Sequence, residues 1–257
     1  MRIEVHDGAV VRFCGAEEGH PLVFLHAFGD GGHCYVESTG SSTLAPFQLI
    51  VPDLWGFGAS PRRSDIVTVA DYSEALVALI QVLCPGRRVG LVGHSIAGSM
   101  AVEMANRLGS AVSGVFSIEG NLTPDDAMFT GRAADFEDPV AFKDRFLRDI
   151  WEMGEESEEL RHYYSGARMS DAVAMWHLGR DAKRISAENA LGEAFRQLSV
   201  PKLYYWSATS TPQRTADWIE ESAIPKRRYE RAGHWPMVSQ PEATAEAIAD
   251  FFSDKFP

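Results

Sequence analysis

The sequence predicts an α/β protein with a mostly parallel central sheet, helices on both faces and an inserted helical cap. Short apolar runs rich in β-branched residues alternate with helical patterns, which is the signature of strand–helix–strand units. The rhythm breaks between 124 and 198, where several amphipathic helical stretches occur and no convincing strand does. A gap of that length between two strands is too long for a simple crossover, so it is expected to fold in its own right. The expected division is 1–123 for the first part of the core, 124–198 for the cap and 199–257 for the second part of the core.

The elements follow in order. "RIEVH" and "AVVRFCG" flank "DG", a favoured two-residue hairpin turn, so the chain is expected to start antiparallel. Buried-strand runs come next: "PLVFLHAF" (21–28), "FQLIVPD" (47–53), "RVGLVG" (88–93), "VSGVFSIE" (112–119), "PKLYYWS" (201–207) and the unusually charged "KRRYER" (226–231). Between them, "VADYSEALVALIQVLC" aligns Ala75, Leu76, Leu79, Ile80 and Leu83 on one stripe, and "SIAGSMAVEMANRL" aligns Ile96, Met100, Met104 and Leu108 on another. In the cap, "DPVAFKDRFLRDIWEMG" and "MSDAVAMWHLGRDAKR" have helical periods, and "GEESEELR" is expected to be a solvated helix face. Ser239 followed by Glu242 has the spacing of a capping box for the closing helix.

Composition narrows the function classes. With 257 residues, 45% apolar and 11% aromatic, the chain can bury a sizeable core. A net charge of -12, from 24 basic and 36 acidic residues, repels nucleic acid and anionic membranes, so neither is an expected partner. Three cysteines (Cys14, Cys34, Cys84) form no close pair, and "MRIEVHDGAV" lacks the pattern of a secretion signal, so a reducing, cytoplasmic location is expected. No apolar run approaches the length of a membrane span. No His, Cys and carboxylate cluster has metal-site spacing, and neither a metal nor an organic cofactor is expected. The expected partner is a small-molecule substrate, with a homodimer allowed for.

The chemistry concentrates in "RVGLVGHSIAGSMAVEMANRL", where a strand pattern runs through Gly93, His94, Ser95, Ile96, Ala97 and Gly98 directly into a helix pattern. This is the context of a nucleophile elbow, in which a serine on a tight turn projects from the sheet edge. Small residues are needed two positions either side, because strand and helix approach closely there. Gly93 and Ala97 fill those places, with Ala97 standing where the usual motif has glycine. An ordinary glycine-rich turn would leave a similar trace, but three further stretches make the pattern more specific. "FLHAFGDGGHCY" resembles a loop that supplies half an oxyanion hole through the backbone N–H of Phe28, with Ile96 supplying the other half. "VPDLWGFGASPRR" resembles an Asp-x-x-Gly-x-Gly-x-Ser turn, and "YERAGHWPMVSQPEATAEAIADFF" places His234 before the closing helix.

Together, and in this order, these motifs resemble the α/β-hydrolase superfamily, in its cap-bearing serine hydrolase form, along nearly the whole chain outside the cap. The resemblance implies the α/β-hydrolase fold, Ser95 as nucleophile, His234 as general base and then acid, and Phe28 with Ile96 as oxyanion donors. It also implies an acid. In most members that acid follows the seventh strand in a Gly-x-x-Asp turn, but here the stretch reads "LYYWSATSTPQRT", with Ser207, Ala208, Thr209 and Ser210 in its place.

Glu119 offers the substitute. It ends the strand after the elbow helix, and the carboxyl ends of neighbouring parallel strands lie on one side of a sheet. An acid after the sixth strand is a feature of some haloalkane dehalogenases and of zearalenone lactonase-like members. Dehalogenation is disfavoured because those enzymes use an aspartate where this chain has Ser95. Asp217, in "QRTADWIEE", is the competing acid, although its neighbours suggest an exposed helix. His26 and His94 are expected to be structural groups around the elbow, His33 to be structural as well, and His162 and His177 to lie in the cap. Cap residues Met128, Trp151, Tyr164 and Trp176 are candidates for apolar substrate contact, against the simpler alternative that they pack the cap onto the core.

The expected activity is hydrolysis of a carboxylic ester or lactone of a small, largely apolar substrate. Thioester or C–C bond cleavage on the same residues, and a non-hydrolytic small-ligand receptor of the same fold, are the alternatives.

Overall fold

The computed structural model describes residues 1–253. The first strands, β1 (Arg2–His6) and β2 (Ala9–Gly15), form an antiparallel hairpin in register from Arg2↔Phe13 to His6↔Ala9. Its turn residues Asp7 and Gly8 have φ of 49° and 80°, the two positive values that a tight hairpin turn of this type demands. There follow β3 (Pro21–Leu25), α1 (Val36–Thr39), β4 (Gln48–Pro52), α2 (Val69–Leu83), β5 (Val89–His94), α3 (Ile96–Leu108) and β6 (Val112–Ile118). The middle of the chain is helical: α4 (Pro139–Met153), α5 (Glu158–Met169), α6 (Ala172–Ala187) and α7 (Leu191–Gln197). The chain then returns through β7 (Lys202–Trp206), α8 (Gln213–Glu221), β8 (Lys226–Arg228), α9 (Pro236–Ser239) and α10 (Pro241–Ser253).

The eight strands form one sheet in the order β1-β2-β4-β3-β5-β6-β7-β8. β2 is antiparallel to both β1 and β4, and every later pairing is parallel. Strands β3, β4, β5 and β6 are buried along their whole length, as a sheet covered on both faces requires. Gly90 and Gly93 have opposite parity in β5 and so face opposite sides. A methyl on Gly90 would meet the Phe252 ring of α10 at 2.5 Å, and one on Gly93 would meet the Ala97 carbonyl of α3 at 2.6 Å. The charged 226–231 run contributes only three strand residues, at the sheet edge, where charged side chains reach water.

Helices α4 to α6 lie over the carboxyl ends of the strands. Each begins at a side-chain cap: Asp138 accepts from Val140 N and Ala141 N, Ser157 from Leu160 N, and Asp171 from Val173 N and Ala174 N. Hydrogen bonds fasten this layer to the rest of the fold, among them Val69 N to Asp181 at 2.8 Å, Asp171 N to the Gly56 carbonyl at 2.7 Å, the Tyr163 hydroxyl to the Phe28 carbonyl at 2.6 Å and Gly233 N to Glu159 at 3.0 Å. Apolar contact completes the join, with Phe28 5.6 Å from Phe146 and 6.4 Å from Phe142. The expected Ser239–Glu242 capping box does not form. Pro241 starts α10, Ser239 Oγ turns back to the Trp235 carbonyl, and Glu242 accepts from Ser41 across the molecule. Among the described residues no helix is long and apolar enough to cross a membrane.

Candidate active site

Ser95 stands between β5 and α3 with φ 55° and ψ −129°, a backbone conformation that costs a non-glycine residue free energy and that persists only when its surroundings enforce it. They do so here. Ser95 N donates to the Ile118 carbonyl of β6 at 2.9 Å, and Gly98 N donates to the Ser95 carbonyl at 2.8 Å. A methyl on Gly98 would come within 2.8 Å of the Gly120 Cα, so the elbow and the end of β6 touch backbone to backbone. Ile96, the first residue of α3, is buried beside Ser95.

Glu119, immediately after β6, is also forced into positive φ, at 44°, and its carboxylate is almost fully buried. One oxygen, Oε1, accepts from Ser207 N at 3.0 Å, Ser210 Oγ at 2.6 Å, the Tyr229 hydroxyl at 2.7 Å and, more weakly, Thr211 Oγ1 at 3.4 Å. The other, Oε2, lies 2.6 Å from His234 Nδ1. The serines that replace the usual acid turn are thus the groups that hold Glu119. Asp217 is elsewhere, exposed on α8 and paired with Gln213 at 2.7 Å.

Two other histidines hold this frame. His26 Nε2 accepts from Leu54 N at 2.9 Å, which leaves Nδ1 protonated to donate to the Ala27 carbonyl at 2.8 Å. Burial pushes its pKa down to about 4, so the ring stays neutral and fixes the peptide before Phe28. His94 Nε2 donates to the His234 carbonyl at 2.7 Å, with the two rings 4.7 Å apart. Burial, reinforced by His234, drives the His94 pKa well below its ordinary value. The residue before Ser95 therefore positions the loop that carries His234. Below this loop the fully buried Asp30 accepts from Trp235 Nε1 at 3.2 Å and Gly31 N at 2.9 Å, and burial raises its pKa to about 7. Asp53, in the Asp-x-x-Gly-x-Gly-x-Ser turn, accepts from Arg12, Gly32 N and Ala59 N.

Ser95, Glu119, His234, Ala27 and Phe28 line one cavity of about 270 Å³. Its other walls are mostly apolar, with Met128, Phe129, Met153, Leu160 and Tyr163 from the 124–198 segment and Trp235 from the loop that carries His234. Of the four cap residues singled out from sequence, only Met128 lines the cavity, at its mouth, with the side chain 74% exposed. Trp151 and Tyr164 pack against each other with tilted rings, centroids 5.2 Å apart, and line a separate groove on α4 and α5. Trp176 is held outside it too, donating to the Phe136 carbonyl with Arg180 4.5 Å above its ring. Lining residues that the sequence did not single out include Asn121, Thr130 and Trp235, outside the regular strands and α-helices where no periodicity marks the inward direction, and Tyr204, inside β7. Among the described residues no group of three or more His, Cys, Asp or Glu could hold a metal ion.

Comparison with known proteins places this geometry among relatives. The family described as "Alpha/beta hydrolase family" matches residues 22–247. A rice protein named probable esterase PIR7A is 32% identical over 100 residues, a match that spans 38% of this chain and 38% of that relative's length. Among solved structures, an aryl esterase from Burkholderia cenocepacia superposes with a TM-score of 0.75 at 21% identity, covering 98% of this chain and 97% of its own. The N-acyl homoserine lactonase AidH, solved with N-butanoyl homoserine, gives a TM-score of 0.79 at 16% identity over 100% of this chain and 98% of its own.

Proposed function

Because the chain belongs to the alpha/beta hydrolase family, we propose that it is a serine hydrolase that cleaves a carboxylic ester or lactone of a small, largely apolar substrate through an acyl-enzyme. The observation that carries the reading is the 2.6 Å contact between His234 Nδ1 and Glu119 Oε2 at the cavity that Ser95 also lines. A carboxylate on Nδ1 keeps the ring proton there, which leaves Nε2 free to take the proton of a serine hydroxyl.

In this mechanism Ser95 Oγ attacks the substrate carbonyl carbon while His234 Nε2 takes the hydroxyl proton. The carbonyl π electrons move to oxygen, and the Phe28 and Ile96 backbone N–H groups stabilise that oxyanion; one such donor is typically worth about 100- to 1000-fold in rate. As the tetrahedral intermediate collapses, the C–O bond to the alcohol breaks and His234 returns its proton to the leaving oxygen. Water then attacks the acyl-enzyme, His234 takes its proton, and the acid is released with Ser95 restored. Glu119 stays ionised throughout, holding the ring and offsetting the charge of the imidazolium. The helices within 124–198 act as a cap, and Phe129, Met153 and Leu160 give the cavity its apolar character. A lining with no Lys or Arg among the described residues favours neutral substrates over thioesters whose leaving group carries phosphates.

The test is the rate at which a serine-directed fluorophosphonate labels the intact protein, followed by mass. Wild type is expected to take one label and Ser95→Ala none, with equal melting temperatures. An inert wild type that is nonetheless stabilised by neutral ligands would support the non-hydrolytic receptor instead.

A further inference from the structure

Two polar groups in the cavity wall have no partner. Asn121 Nδ2 and Thr130 Oγ1 are buried without a hydrogen bond, and their residues are 5% and 8% exposed. Both residues line the cavity that holds Ser95. Burying an amide N–H or a hydroxyl unpaired costs free energy, and folded proteins keep few such groups unless something other than the chain pairs them. Their neighbours in the wall do not share this state. Asp126 accepts from Leu122 N, Thr123 N and Thr215 Oγ1, Tyr163 donates to the Phe28 carbonyl, and Tyr204 donates to the Gly120 carbonyl. Among the described fully buried side-chain atoms of the lining residues, the unpaired ones are therefore confined to these two places in a mostly apolar wall.

Charge restricts the occupant further. The lining holds the carboxylates Glu119, Asp125 and Asp126 and the imidazole of His234, and no Lys or Arg is among the described lining residues. A carboxylate or phosphate on the substrate would be desolvated facing three acidic side chains.

We propose, on the basis of the serine hydrolase reading, that the substrate is a neutral ester or lactone carrying a second oxygen acceptor, such as a ketone or amide carbonyl, and that Asn121 and Thr130 recognise it. Asn121 Nδ2 can only donate, so its partner must be an acceptor; the Thr130 hydroxyl can donate to the same class of group. An oxygen of this kind distinguishes the substrate from a plain acyl ester of equal length. The distinction is strong because an analogue lacking the oxygen leaves both protein groups unpaired.

The experiment compares kcat/KM for phenyl pentanoate with phenyl 3-oxopentanoate and phenyl 4-oxopentanoate, and for pentyl butanoate with 4-oxopentyl butanoate, so that the ketone is tried on both sides of the ester. At least one keto ester is expected to exceed its plain parent by about tenfold or more. In Asn121→Leu and in Thr130→Val, made separately and checked for unchanged melting temperature, that ratio is expected to fall towards one. The change in the ratio on substitution reads recognition, since a general loss of activity and the intrinsic reactivity of the keto ester both cancel. Asn121 also borders a smaller cavity lined by Gly98, Ser99 and Phe195, where Ser99 Oγ is likewise unpaired. Equal turnover of keto and plain esters, all of it lost in Ser95→Ala, would overturn the inference alone and assign Asn121 to that smaller cavity. A ratio that survives both substitutions would overturn it as well. Turnover that persists in Ser95→Ala, or none in wild type, would remove the serine hydrolase reading and this inference with it.

Discussion

Replacing Glu119 by Gln changes one oxygen to an NH2 group, and the surrounding bonds decide which way the amide must face. Around Oε1 stand the Ser207 backbone N–H at 3.0 Å and three hydroxyls, from Ser210, Tyr229 and Thr211. The hydroxyls can rotate, but the backbone N–H can only donate. The amide oxygen is therefore held on that side and the NH2 is directed at His234 Nδ1, 2.6 Å away in the native protein. Two donors cannot face each other, so the ring proton moves from Nδ1 to Nε2. That tautomer has no lone pair with which to accept the Ser95 proton. Inverting the tautomer in a serine, histidine and acid set lowers kcat by about 10⁴-fold, so a loss of 10³- to 10⁴-fold is expected, about 4 to 5.5 kcal/mol of transition-state stabilisation at 1.36 kcal/mol per decade. The assay is kcat/KM on phenyl pentanoate together with the fluorophosphonate labelling rate, at pH 7 and 9, with melting curves as the control for folding. Activity within about tenfold of wild type, at unchanged melting temperature, would refute the reasoning and leave His234 without its assigned acid.

Removing the hydroxyl in Tyr163→Phe deletes the bond to the Phe28 carbonyl while keeping the ring against Trp235, 4.6 Å away. The expected cost is about 1 kcal/mol of stability in urea unfolding, with kcat reduced about five- to tenfold and KM changed less, because Phe28 is no longer held on its carbonyl side and the N–H of the preceding peptide is aimed less firmly at the oxyanion. An unchanged kcat would show that the bond to the Phe28 carbonyl does not help to aim the Phe28 N–H. For Asp30, burial raises the folded pKa to about 7, above the ordinary carboxylate value, so between pH 4 and 7 the folded chain holds a proton that the unfolded chain has released. This contribution to stability is full below pH 4, declines as pH rises to 7 by up to about 1.4 kcal/mol per pH unit, and is flat above that. Urea unfolding of wild type and Asp30→Asn at pH 5 and pH 8 checks it: the fall from pH 5 to pH 8 is expected to be smaller in the variant, and an equal fall would assign the titration elsewhere.

The elbow was legible in the sequence because its steric demand is local. Gly93, Ala97 and Gly98 sit where strand, helix and the neighbouring Gly120 meet, and no larger side chain fits at 93 or 98. The parallel sheet was legible because strands buried on both faces read as continuous apolar runs. Glu119 drew attention as a carboxylate ending such a run, but its cradle did not, because Ser207, Ser210 and Tyr229 come from two separate segments and each alone is an ordinary polar residue. The cap was harder still. Helical periodicity shows that α4 and α5 each have an apolar side, but Trp151 and Tyr164 satisfy each other on the outer surface, and the sequence does not reveal which aromatic residues turn inward. The capping pattern at Ser239 misled for a related reason, since Pro241 moved the start of the helix and left the serine to a different carbonyl.

The hydroxyl of Ser210, 2.6 Å from the Glu119 carboxylate, bears on how this arrangement could have arisen. It occupies the stretch where most of the superfamily carries its acid. An ancestor that gained Glu119 while retaining an aspartate at that place would have held two carboxylates in near contact, and such a pair shares one proton rather than ionising twice. The histidine, on the other oxygen of Glu119, would have faced a half-neutral partner. The two layouts therefore work against one another within a single chain. The same constraint predicts which reversal fails: Ser210→Asp in this protein adds a familiar residue at a familiar place and is expected to weaken the site rather than restore an older one.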